Sequence, residues 1–264
     1  MAKRNPERKM SLGGHLRELR NRLYWSALYI GVAAVAGWFL FDPVFAMLQQ
    51  PFKDLSHDPE FMAKNPDFSA SINFSSITGP FDLRMQVSIF LGVIIASPFW
   101  LYNLWAYVAP ALNKRTKRVT ITFVSIATPL FLSGCYLAWL LIPHFVKGLL
   151  WFTPVGSPAL ISANDYILFA LRVLLLFGSA LVLPAVLLLL NYLGMISAKS
   201  ILKGWRLAVF LSAAIAAMAT PVSDPMSMLL LTLPLIALYF LAALIAKIFD
   251  SRKAKRQDAT SNVE

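Results

Sequence analysis

Charge is scarce in this chain of 264 residues, and cysteine and histidine are scarcer: 14% of residues are charged, one is Cys and three are His, against 58% hydrophobic. A soluble domain of this length could not cover so much apolar surface, so the mean hydropathy of +0.64 points to lipid as the solvent. With Cys135 alone, neither a disulfide framework nor a thiol pair for a metal is available. His15, His57 and His144 are far apart in sequence and indicate neither a metal site nor a Ser-His pair. No Gly-Lys-Ser/Thr loop, His-Glu-x-x-His, Gly-x-Ser-x-Gly or paired intramembrane carboxylates occur, so the chain reads as no enzyme and as needing no cofactor or metal.

What is present is a series of uncharged stretches, each near the ~20 residues that a helix needs to cross ~30 Å of hydrocarbon. They predict an all-α integral membrane protein with six transmembrane helices, at about 23–44, 82–105, 119–149, 165–193, 203–219 and 226–249. The domain reading is a basic segment 1–23 with an amphipathic interfacial helix, a membrane domain 24–249, and a disordered charged tail 250–264. Pro98, Pro129, Pro184 and Pro234 fall inside spans and predict kinks, not breaks, in a concave bundle. The first stretch runs into Trp38 to Phe41 without a small-residue cleavage site, so it is expected to stay attached as a span.

Lys and Arg crowd the N-terminal segment, the 114–118 segment, the 199–206 segment and the tail, which predicts both termini on the cytoplasmic side of an inner membrane. Asp42, Asp54, Asp58, Glu60 and Asp67 place the segment after span one outside. The formal charge of +11 could suit nucleic acid, but the basic residues flank spans, so anionic lipid is the expected partner and nucleic acid is not.

Leu12, Leu16, Leu19 and Leu23 recur at helical spacing and predict a helix at the lipid interface that then turns into span one. Within it Glu18 has two readings: an i,i+4 pair with Arg22, or an acceptor for a cationic ligand. The Pro-rich segment 42–82, with Phe52, Phe61, Phe68, Phe74 and Ile77, is expected to fold back as an outer cap. Only residues 204–219 separate Lys203 from Thr220, a short fifth span of the kind that thins a bilayer. Arg84 is expected to pair with Asp82 or to snorkel, while Arg172 lies well inside span four. The competing reading is a polytopic small-solute secondary transporter, although no repeated halves are visible.

The run His15-Leu16-Arg17-Glu18-Leu19-Arg20-Asn21-Arg22-Leu23 resembles the N-terminal signature of the TatC family, the multi-span receptor subunit of the twin-arginine protein translocase. Gly79-Pro80-Phe81, Trp105-Ala106-Tyr107-Val108-Ala109-Pro110-Ala111-Leu112, and Ala219-Thr220-Pro221 with Asp224 follow in the family's order. The resemblance implies a receptor for twin-arginine signal peptides of folded precursors, acting in a homo-oligomer with single-span TatA/TatB-type subunits and driven by the proton motive force. Signal-peptide binding would fall to Glu18, Arg17, Arg20, Pro110 and Thr116, with Arg20 holding Glu18 in place. Docking of partner subunits would fall to Thr220, Asp224 and Ser227, cavity electrostatics to Arg172, and the cap to Pro51 and Phe81. Where the family usually carries further glutamates, this chain has Thr116, Val182 and Phe240.

Overall fold

Two close helix crossings set the frame of the bundle, and both are made at glycine. The computed structural model describes residues 12–57, 59–64, 72–74, 76–108, 116–150, 161–192, 196–219 and 225–261. In chain order these form α1 (Leu12–Phe39), α2 (Phe41–Leu55), α3 (Pro59–Lys64), β1 (Ile72–Asn73), α4 (Gly79–Ile95) and α5 (Ser97–Val108). They continue with α6 (Thr116–Leu150), β2 (Ile161–Ser162), α7 (Ala163–Tyr192), α8 (Ala198–Lys203), α9 (Trp205–Ala219) and α10 (Pro225–Ser261). In lipid, apolar side chains gain little by leaving their solvent, so helices associate where small residues let backbones meet. A Cβ on Gly92 of α4 would stand 2.6 Å from the Ile30 carbonyl oxygen of α1, and one on Gly134 of α6 would stand 2.5 Å from the Phe177 carbonyl oxygen of α7.

The six expected spans map onto these helices. Stretches in α6 (Ile121–Gly148), α7 (Ala163–Asn191) and α10 (Leu231–Ile248) are each long and apolar enough to cross a membrane unaided. α4 and α5 make one span bent by 61° at Ala96, and α9 supplies the short fifth one, apolar over Trp205–Met218. α1 supplies the first, and it bends by 74° into α2 at Leu40, so the helix ends earlier than the expected boundary near residue 44. Pro129, Pro184 and Pro234 lie inside continuous helices as expected. Pro98 instead sits beside a break between two helices, because its missing N–H and its ring disturb the preceding turn. There the Trp100 indole N–H donates to the Val93 carbonyl at 2.9 Å, satisfying an acceptor next to the bend.

The cap is more ordered than its prolines suggest. α2 is a 15-residue helix with Pro51 inside it and buried, and α2 is pinned to the bundle by the Tyr166 hydroxyl donating to the Leu48 carbonyl at 2.6 Å. Leu48 and Phe61 are buried, whereas Phe74 and Ile77, expected to help anchor the cap, are exposed. Phe68 lies outside the described residues, and the side chain of Phe52 is not described. β1 and β2 pair in parallel over two residues, Ile72 with Ile161 and Asn73 with Ser162, tying the far end of the cap to the start of α7. Arg84 holds the α1–α2 elbow: its guanidinium lies 5.0 Å from the ring centroids of both Trp38 and Phe41 and donates to the Trp38 carbonyl at 3.3 Å and to Asp42 at 3.4 Å. The expected partner Asp82 is exposed and takes no part in this contact; the elbow brings Asp42 within reach from 42 residues away.

Two further expectations are corrected at the termini. The amphipathic segment does not turn into span one but runs straight into it as the first turns of α1, since no proline interrupts Leu12–Phe39. The tail is helical through Ser261, because residues 251–258 are rich in Lys, Arg, Ala and Gln, which favour helix.

Candidate site at the open end of the bundle

Opposite the cap, the start of α1, the end of α5, the end of α7, α8 and the end of α10 form the other end of the molecule. The His15 and Tyr107 rings stack with centroids 4.4 Å apart and planes 19° apart, and Asn103 donates to the Ser26 hydroxyl at 3.1 Å, so α5 fixes the first turns of α1. Across the bundle, Asp250 accepts from the Asn191 amide at 2.9 Å through one oxygen and from the Ala198 backbone N–H at 2.8 Å through the other. The Tyr239 hydroxyl donates to the Ile201 carbonyl and closes α8 against α10. Sequence reading missed Asp250 by assigning it to a tail; it bridges Asn191 and Ala198 only because α10 continues as a helix beyond Ile248.

Between these fixed points, α1 presents an open cavity of about 600 Å³ lined by Gly14, Arg17, Glu18, Arg20, Asn21 and Tyr24. Among the described residues the carboxylate of Glu18 is the only acid in this lining. One oxygen, Oε1, accepts from Arg22 Nη2 at 2.6 Å and Nε at 3.0 Å. The other, Oε2, is buried and has no hydrogen-bond partner among the described residues. The i,i+4 pair with Arg22 is thus formed at Oε1, and Oε2 is left as a buried acceptor. It is Arg22, four residues on and on the same face, that holds the acid; Arg20, expected in that role, is exposed and lines the cavity beside it.

Over residues 14–234 the sequence matches the model for Sec-independent protein translocase protein (TatC). The chain belongs to the TatC family. It is 38% identical to the TatC protein of Xylanimonas cellulosilytica over 96% of this chain and 88% of the relative, and 31% identical to TatCy of Bacillus subtilis over 95% and 94%. Its fold is similar to a crystal structure of the twin arginine translocase receptor TatC, with TM-score 0.74 and 28% identity over 88% of this chain and 99% of that one. The chain is a component of a Sec-independent protein translocase, and these relatives set the small-solute transporter aside. Of the residues expected to bind the peptide, Arg17, Glu18 and Arg20 line this one cavity. Pro110, Thr220 and Asp224 lie outside the described residues, and the side chains of Thr116 and Ser227 are likewise not described. Arg172 is half-buried on α7, distant from this cavity along the chain. Val182 and Phe240, the two in-span positions where the resemblance led us to expect glutamate, are buried and 42% exposed respectively. In the cap, Pro51 is buried and Phe81 exposed, its ring edge-on to Trp38 at 6.1 Å.

Proposed function

We propose that this end of the bundle is cytoplasmic and that the Glu18 cavity receives the arginine pair of a signal peptide, making the chain the receptor and core subunit that moves folded proteins across the inner membrane with the proton motive force. The observation that carries the reading is the buried, unpartnered Oε2 of Glu18 in a chain of the TatC family. A carboxylate with one oxygen already oriented by Arg22 offers the other in a fixed direction, which suits a guanidinium better than a mobile acid would. Arg17, Arg20 and Arg22 oppose any cation at long range, so affinity must come from short-range geometry and not from bulk charge; at a Debye length of about 8 Å, salt also damps that opposition. In the sequence Pro110 and Thr116 flank Lys114 and Arg115, and both are assigned to peptide binding, Thr116 falling where the resemblance implies a second acid.

Single-span TatA/TatB-type subunits dock where α9 meets α10, through Thr220, Asp224 and Ser227, and the short α9 thins the bilayer there. The basic residues at this end face anionic lipid, and copies of the chain assemble as a homo-oligomer within the complex. Both termini are then cytoplasmic and the α2–α3 cap lies outside. Replacing Glu18 with Ala tests the central claim: cross-linking to a twin-Arg signal peptide is expected to vanish while membrane insertion is unchanged. Unchanged cross-linking, or equal capture of twin-Arg and twin-Lys peptides by the solubilised protein, would sink it.

A further inference from the structure

We propose that Arg172 holds the phosphate of a bilayer lipid in the leaflet at the cap end of α7. This inference stands apart from the peptide-binding reading of Glu18 and requires only that α7 spans the membrane.

α7 is sealed on most of its circumference: Ile167, Ala170, Val173 and Phe177 are fully buried. One stripe remains open, running through Asp165, Leu168, Arg172, Leu175, Ser179 and Leu183 at steps of three and four residues. Asp165 and Ser179 are exposed, Arg172 half-buried, and Leu183 57% exposed. Polar groups therefore recur every seventh residue along an otherwise apolar face. Among the described residues Arg172 has no carboxylate within ion-pair distance and no hydrogen-bond partner. A guanidinium in that position must find an anion or water, because ionised groups are costly in hydrocarbon.

Depth decides which anion is within reach. The 30 residues of α7 make a helix of about 45 Å, longer than the ~30 Å of hydrocarbon. With the surplus shared between its ends, the Arg172 backbone lies about 6 Å inside the cap-side edge. Helical Cα–Cβ bonds tilt toward the N-terminus, so the side chain leans toward that same edge and can snorkel to it. A midplane ligand is on the wrong side; a headgroup phosphate is on the right one. The planar fork suits two phosphate oxygens. Leu175 and Leu183, deeper on the stripe, offer acyl chains an apolar path. Asp165, two turns toward the cap and just beyond that edge, is the opposing charge, so phosphate binding is expected to strengthen when it is neutralised.

The test uses the full chain reconstituted in phosphatidylcholine bilayers containing phosphatidylglycerol, then extracted and washed in detergent, with retained lipid counted by native mass spectrometry. Wild type is expected to keep bound phospholipid, Arg172→Gln to lose it about tenfold, Arg172→Lys to fall between, and Asp165→Asn to match or exceed wild type. Arg172→Lys keeps the charge should Arg172→Gln not fold. Equal retention by wild type and a folded Arg172→Gln overturns the proposal. So does release of the lipid by inorganic phosphate, which would make this a site for a free anion. Signal-peptide cross-linking of the same variants reports on Glu18 separately, so either reading can fail alone.

Discussion

Two carboxylates at the same end of the molecule, Glu18 on α1 and Asp250 on α10, have opposite degrees of saturation. Asp250 has each oxygen engaged by a donor from a different element, the end of α7 and the start of α8. Glu18 gives one oxygen to Arg22 of its own helix and keeps the other buried and bare. An acid whose hydrogen bonds cross between elements holds the fold; an acid whose capacity is half used is open to a ligand. Burial of an unsatisfied acceptor costs about 1–3 kcal/mol, a cost that a binding site recovers when occupied and a purely structural acid would carry permanently.

That contrast is sharpened by exchanging charges for neutral isosteres. Glu18→Gln is expected to weaken capture of a twin-Arg peptide by about thirtyfold or more, with the thermal melting of the solubilised protein unmoved. Asp250→Asn is expected to do the reverse, lowering stability by about 1.5–3 kcal/mol while peptide capture per folded molecule stays at the wild-type level. If Asp250→Asn abolished capture without lowering the melting temperature, the division between the two acids would collapse. At the cap, Tyr166→Phe leaves the Leu48 carbonyl without its donor and is expected to cost about 1 kcal/mol, seen as faster proteolysis of α2 before the bundle is cut. The smallest change belongs to Arg22→Gln: a single half-buried i,i+4 pair contributes about 0.2–0.5 kcal/mol, so melting should barely shift.

The apolar stretches gave the six membrane segments because length and hydropathy are summed over many residues and survive errors at either end. The Glu18–Arg22 pair was legible for a similar reason: i,i+4 spacing within a helical leucine pattern is a local feature. Contacts between distant residues were not. Nothing local to Arg84 indicates Asp42 over the nearer Asp82, since the choice depends on a 74° elbow at Leu40. The cap helix α2 was hidden by Pro51, which normally argues against a helix interior yet is tolerated there in a buried turn. Asp250 reads as the first residue of a charged tail until α10 is seen to carry it to Asn191 and Ala198.

The bend in the second span carries a consequence for how the chain is assembled. Its determinants, Ala96, Pro98 and the indole of Trp100 reaching back to Val93, lie within eight consecutive residues. The angle is thus encoded before any later helix has been made. Trp100 then meets Phe131 edge-on, with centroids 5.4 Å apart, so α6 arrives against a surface already pointed toward it. An element synthesised early acts as the template on which the next one is placed, and the order of synthesis becomes an order of docking.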